Sequence, residues 1–106
     1  MTPREVIEAD ERFYVFCTKT RVIGCIAIRM SKGTISHLVV KPEYRKLGIG
    51  EILVNKVIEV ARENGIKRLQ TYIRRENKIS KKLFRKMGFE KVGELGRSDI
   101  YRFEPN

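Results

Sequence analysis

Val39-Val40-Lys41-Pro42-Glu43-Tyr44-Arg45-Lys46-Leu47-Gly48-Ile49-Gly50 is the stretch on which the reading of this 106-residue chain turns. A β-branched run stops at Pro42, because proline cannot donate to a ladder. A basic loop with two glycines follows, and helical periodicity starts at Gly50. The first turn of a helix has unpaired N–H groups and the positive end of the helix dipole. Glycine lets a ligand come close to the backbone, so the segment suits an anion such as a pyrophosphate. It is not a Walker loop, since no Gly-Lys-Ser/Thr follows, and two glycines after antiparallel strands are not the dinucleotide fingerprint. On the loop alone, a plain turn that uses glycine for tight packing explains the pattern equally well.

Downstream, Leu53, Val57 and Ala61 recur at i+4 with Val54 and Ile58 beside them, which predicts a helix from Gly50 to Asn64 with a broad apolar stripe. Asn64-Gly65 stops it. Arg68 to Ile73 alternates and reads as a strand. Asn77 caps a second helix whose apolar line is Ile79, Leu83 and Met87, and Gly88 ends it. Phe89 to Val92 and Ile100 to Phe103 are short strands about a turn built from Gly93, Gly96 and Asp99. Upstream, Phe13 to Thr18, Val22 to Met30 and Thr34 to Val40 form an antiparallel meander, with Ser31-Lys32-Gly33 as a turn. Thr2-Pro3-Arg4-Glu5 carries the marks of a helix start, and a short helix to Asp10 is expected. A right-handed crossover makes the third and fourth strands parallel, so the sheet is mixed.

One domain over residues 1–106 follows from the length. The formal charge of +10, with 34% charged and 42% hydrophobic residues, favours anionic ligands without choosing among nucleic acid, a phosphorylated cofactor and an acidic protein. Met1 to Asp10 is no secretory signal, and no segment approaches the ~20 apolar residues of a membrane span. A cytoplasmic location follows by elimination. Cys17 and Cys25 read as small apolar residues on neighbouring strands, with a cross-strand disulfide left open. With one histidine and no CxxC pair, no metal is implied.

The pattern Val40-x-Pro42-x-Tyr44-Arg45-x-x-Gly48-Ile49-Gly50 resembles the Gln/Arg-x-x-Gly-x-Gly/Ala signature of Gcn5-related N-acetyltransferases, with the valine and proline that usually precede it. Asn77-x-x-Ser80-x-x-Leu83-Phe84-x-x-Met87-Gly88-Phe89 resembles that family's Asn-x-x-Ala-x-x-Leu-Tyr-x-x-x-Gly-Phe segment. The two blocks stand at the family's separation, and the likeness runs from Phe13 to Phe103.

The resemblance implies an α/β (mixed α+β) acyl-CoA N-acyltransferase fold, mostly antiparallel, with a shortened front. It implies acetyl-CoA as co-substrate, its pyrophosphate on Arg45, Lys46, Gly48, Ile49 and Gly50. The pantetheine arm would lie along the backbone of Leu38, Val39 and Val40, with Asn77 on the arm and one N–H, at Val40, polarising the thioester carbonyl. The reaction implied is direct attack by a primary amine, with no covalent enzyme intermediate. Two positions depart from the family. Phe84 replaces the tyrosine that protonates the thiolate, and Thr34 and Ser36 stand where a glutamate or histidine base is common. Tyr72 is the replacement acid this sequence offers, or else a sheet tyrosine packed on one face. Alternation puts His37 on the face opposite Thr34 and Ser36, which gives it a structural or surface role. The short front suits a macromolecular acceptor such as a protein amine, or a pocket completed by a second subunit. Lys78, Lys81, Lys82, Arg85 and Lys86, with Arg74 and Arg75, read as a solvated helix face. They leave open the alternative of a non-catalytic acetyl-CoA-binding or nucleic-acid-associated module, although no stacking aromatics are interleaved among them.

Overall fold

The computed structural model describes residues 3–105. Its strands and helices follow in the order β1 (Arg4–Glu8), β2 (Glu11–Cys17), β3 (Val22–Arg29), β4 (Thr34–Val40), α1 (Ile49–Glu63), β5 (Leu69–Arg74), α2 (Lys78–Lys86), β6 (Glu90–Leu95) and β7 (Ser98–Phe103). They build one seven-stranded sheet ordered β1-β2-β3-β4-β5-β7-β6. Only β4 and β5 are parallel, as the crossover through α1 requires.

The expected helix at the front is a strand. Thr2, its intended cap, lies outside the described residues, and Arg4–Glu8 pairs antiparallel with β2 across the tight turn at Ala9, φ 49°. A helix this short gains little from its own hydrogen bonds, whereas the edge of β2 offers a complete ladder. The last hairpin also differs from expectation. Its turn is Gly96-Arg97 alone; Gly93 sits within β6 opposite Ile100, and Asp99 is buried in β7 opposite Ile73.

Alternation sorts the sheet into two faces. Tyr14, Phe16, Ile26, Ile28, Ile35, Leu69, Ile73 and Tyr101 point to one side and are buried against Leu53, Val54, Val57, Ile58 and Ala61 of α1. Phe84 of α2 packs edge-on to Phe89, which stacks on Phe103. Each of these larger side chains contributes about 1.5–3 kcal/mol on burial. The opposite face, with Val6, Phe13, Val15, Ser36 and Tyr72, carries no helix among the described residues. Cys17 and Cys25 do not face each other: Cys17 pairs with Val22 and Cys25 with Val15, and both thiols are free.

Candidate active site

Two features of β4 shape the site. The first is where its pairing with β5 ends. Thr34 meets Gln70 and Ile35 meets Thr71, and beyond Ile35 the strands part. Gln70 N–H to the Gly33 carbonyl and Thr71 Oγ1 to the Ile35 carbonyl close the paired end. The second feature is a bulge against β3: Cys25 pairs with Val39 and Ala27 with Ser36, so two residues of β4 oppose Ile26 alone. His37 absorbs the extra residue with φ 55°.

That bulge overturns the placing of His37 by alternation. Its Nδ1 lies 2.8 Å from Ser36 Oγ, and its ring is 6.0 Å from that of Phe13, on the uncovered face. Ser36 and His37 therefore share a face. The Cys25 thiol donates to the His37 carbonyl at 3.3 Å, and burial pushes that thiol up.

After β4 the chain makes a single 3₁₀ turn, Pro42–Tyr44. Tyr44 N–H donates to the Lys41 carbonyl and Arg45 N–H to that of Pro42. The Arg45 amide, expected to face a phosphate, is thus already engaged, and its Nε donates to the Val40 carbonyl at 3.1 Å. Lys46 and Gly48 are both left-handed, with φ 66° and 79°. Gly48 precedes α1, whose first amides, at Ile49, Gly50 and Glu51, have no acceptor within the helix. The two glycines serve different ends. Gly48 supplies the positive φ, while a Cβ on Gly50 would stand 3.0 Å from Leu83 Cδ2, so Gly50 allows α1 and α2 to approach.

Leu38, Val39, Val40, Arg45, Lys46, Gly48, Ile49, Gly50 and Asn77 all line one cavity of about 520 Å³. The Lys41 amide bonds Ile23 of β3. Successive amides of a strand alternate in direction, so the Val40 N–H points away from β3 towards the gap before β5. Asn77 caps α2 by accepting from Ser80 N–H at 3.1 Å.

Tyr72 does not line that cavity. It lines a second, of about 330 Å³, together with Thr34, Ser36, His37, Arg74 and Phe84. Leu38, Asn77 and Ser80 line both cavities, so the two meet where β4 and β5 part. The Tyr72 oxygen accepts from Gln70 Nε2 at 2.8 Å. Sequence reasoning missed His37 as a cavity residue and Ser80 as a shared one. The first had no signal, since neither glycine nor asparagine marks the bulge.

Most of the basic residues around α2 are engaged. Lys81 bonds Asp99 at 2.8 Å, Arg75 bonds Asp99 and Glu94, Lys86 bonds Glu51, and Arg85 lies over the Tyr101 ring. A continuous phosphate-tracking stripe is not what this arrangement offers. Among the described residues no cluster of three or more His, Cys, Asp or Glu could hold a metal ion, and no helix is long and apolar enough to cross a membrane.

The profile of the family described as "Acetyltransferase (GNAT) family" matches residues 2–89. A Bacillus subtilis (strain 168) protein assigned as a [ribosomal protein bS18]-alanine N-acetyltransferase is 31% identical over 83% of this chain and 54% of its own. The thialysine N-epsilon-acetyltransferase of Bos taurus is 34% identical over 66% of this chain and 41% of its own. The chain spans about half the length of these relatives. The PaiA N-acetyltransferase of Thermoplasma acidophilum, solved with coenzyme A, superposes with TM-score 0.82 at 24% identity, over 90% of this chain and 61% of its own. A candidate streptothricin acetyltransferase from Bacillus anthracis str. Ames, solved with acetyl-coenzyme A, superposes with TM-score 0.79 at 18% identity, over 92% and 64%.

Proposed function

The chain belongs to the acetyltransferase (GNAT) family, and from that premise we propose that residues 1–106 are one acetyltransferase domain that moves an acetyl group from acetyl-CoA to a primary amine. The observation that carries the proposal is the meeting of the two cavities at Leu38, Asn77 and Ser80, where β4 and β5 part. The coenzyme and acetyl-coenzyme complexes of the two structural relatives support the choice of donor.

The larger cavity fits the donor. The α1 N-terminus, the left-handed turn at Lys46 and Gly48, and the Lys46 side chain form a cradle for a pyrophosphate. The arm would follow Leu38, Val39 and Val40, with Asn77 opposite. Acetyl-CoA brings the activated thioester, and the remaining work falls to the chain.

The Val40 N–H donates to the carbonyl oxygen as negative charge develops there. His37, held through Nδ1 by Ser36, accepts the proton of the attacking amine at Nε2. The N–C bond forms, the C–S bond breaks, and the electron pair leaves on sulfur. Tyr72 returns a proton to that sulfur. Its oxygen already accepts from Gln70, which leaves its own proton to give. The acceptor enters by the second cavity, and the [ribosomal protein bS18]-alanine N-acetyltransferase among the relatives supports the amine of a peptide or protein.

A second reading keeps acetyl-CoA binding without turnover, as a module that retains the fold, and the burial of Phe84 in the usual place of a tyrosine favours it. Calorimetric titration with acetyl-CoA and free CoA, with Gly48→Glu as control, tests what the two readings share. Micromolar affinity lost in the variant supports both, and no binding by the wild type removes both. CoA release with an amine panel then separates them.

A further inference from the structure

The charges around the second cavity differ from those elsewhere on this basic chain. Arg74 and His37 stand at its walls, on the same open face as Tyr72 and Ser36, and among the described residues no carboxylate lines it. Arg74 is also held differently from its neighbour. Arg75 Nε and Nη2 bond Asp99 and Glu94 at 3.2 and 3.1 Å. Among the described residues Arg74 has only Glu76, at 3.9 Å, and both side chains are more than half exposed. That pair exceeds hydrogen-bond length, and exposed pairs of this kind hold weakly. Of the other guanidiniums on this face, Arg102 is bound to Gln70 Oε1 through Nε and Nη2, and Arg29 faces Glu11 at 3.8 Å. Arg74 therefore keeps uncommitted donors beside the opening through which an amine must pass.

A polyvalent cationic acceptor meets repulsion from Arg74, and among the described residues no carboxylate lines the cavity to offset it. An amine with an anionic group a few bonds away meets the planar fork that binds carboxylates in two parallel hydrogen bonds. A volume of about 330 Å³ is at the small end of ligand pockets, room for an amino-acid-sized group.

We infer that the acceptor is a primary amine with a carboxylate close to it, the carboxylate held by Arg74 and the amine directed to His37. The inference rests on the acetyltransferase reading above. Its chemistry has two sources, a free amino acid and a peptide with an acidic residue near its amine, which the test distinguishes.

The test is CoA release from acetyl-CoA with free amino acids, acidic peptides, their amide-capped counterparts and spermidine, for wild type, Arg74→Ala and Arg74→Lys. The carboxylate-bearing amines are expected to be preferred, with kcat/KM falling at least roughly tenfold in Arg74→Ala. Arg74→Lys should recover part of that loss, and the amide-capped amines should be indifferent to either change. Faster turnover of spermidine or of the capped amines overturns the inference, as does an unchanged carboxylate-to-amide ratio in Arg74→Ala. If no amine turns over, titrating an N-acetylated amino acid and its amide into protein saturated with CoA reads the same preference, and equal affinities overturn it. Failure of the wild type to bind acetyl-CoA is a separate result that removes the underlying reading instead.

Discussion

Ser36 and His37 are neighbours in sequence, yet their side chains project from the same face of β4, with Oγ and Nδ1 2.8 Å apart. A regular strand would send them to opposite faces. The left-handed conformation of His37 produces the reversal, and a non-glycine residue there carries a cost of about 1–2 kcal/mol. Strain of this kind at a cavity wall is consistent with a residue held in place for use.

Replacing His37 with Asn tests that use, because asparagine tolerates the left-handed region and keeps the bulge. The expected outcome is a fall in kcat of about 10²-fold or more, with acetyl-CoA affinity unchanged by calorimetry. A kcat equal to wild type would return His37 to a structural role.

Gly48 should be replaceable at moderate cost to folding and large cost to the ligand. No atom lies within 4 Å of a Cβ built there, so the penalty comes from φ 79° alone, about 1–2 kcal/mol for an L side chain. Gly48→Ala should lower the urea midpoint modestly, and Gly48→Glu should abolish acetyl-CoA binding by placing a negative charge at the α1 N-terminus. Equal affinities for wild type and Gly48→Glu would remove the loop from the binding site.

The helices and the central strands were legible because each carries its own period: Leu53, Val57 and Ala61 for α1, Leu69, Thr71 and Ile73 for β5. The loop from Pro42 to Gly50 and the cap at Asn77 were legible for a different reason, since proline, glycine and a capping asparagine leave local marks, whereas Leu38, Val39 and Val40 were named through the family resemblance. What escaped depends on pairing. Arg4–Glu8 becomes a strand because β2 has a free edge, and His37 turns over because β3 is one residue shorter opposite it. Neither partner is visible from the segment itself.

Asp99 ties three elements together. Its carboxylate is 3% exposed and receives Lys81 from α2 at 2.8 Å, Arg75 at 3.2 Å and Lys91 of β6 at 3.5 Å. The hydrogen bond from Lys81 first, then Arg75 and the charge of Lys91, hold its pKa below the usual aspartate value. A depressed folded pKa means stability that is present above the unfolded aspartate value of about 3.9 and lost as pH falls through the folded one. Urea midpoints for wild type should therefore drop steeply below about pH 4. Asp99→Asn should lower the midpoint at pH 7 and flatten the acid limb. Identical limbs in the two proteins would show that other carboxylates govern acid unfolding.

Tyr101 presents the opposite case, a polar group whose removal should do no harm. Its side chain is fully buried on β7, and its hydroxyl has no hydrogen-bond partner among the described residues. A buried hydroxyl without a partner costs about 1–3 kcal/mol relative to one in water. Tyr101→Phe keeps the ring that packs in the core and that Arg85 covers at 5.6 Å. The variant should be as stable as wild type or more so, by up to about 1 kcal/mol, the net scale of one hydrogen bond. A loss of stability in urea would mean that the hydroxyl finds a partner, such as an internal water, worth more than its desolvation.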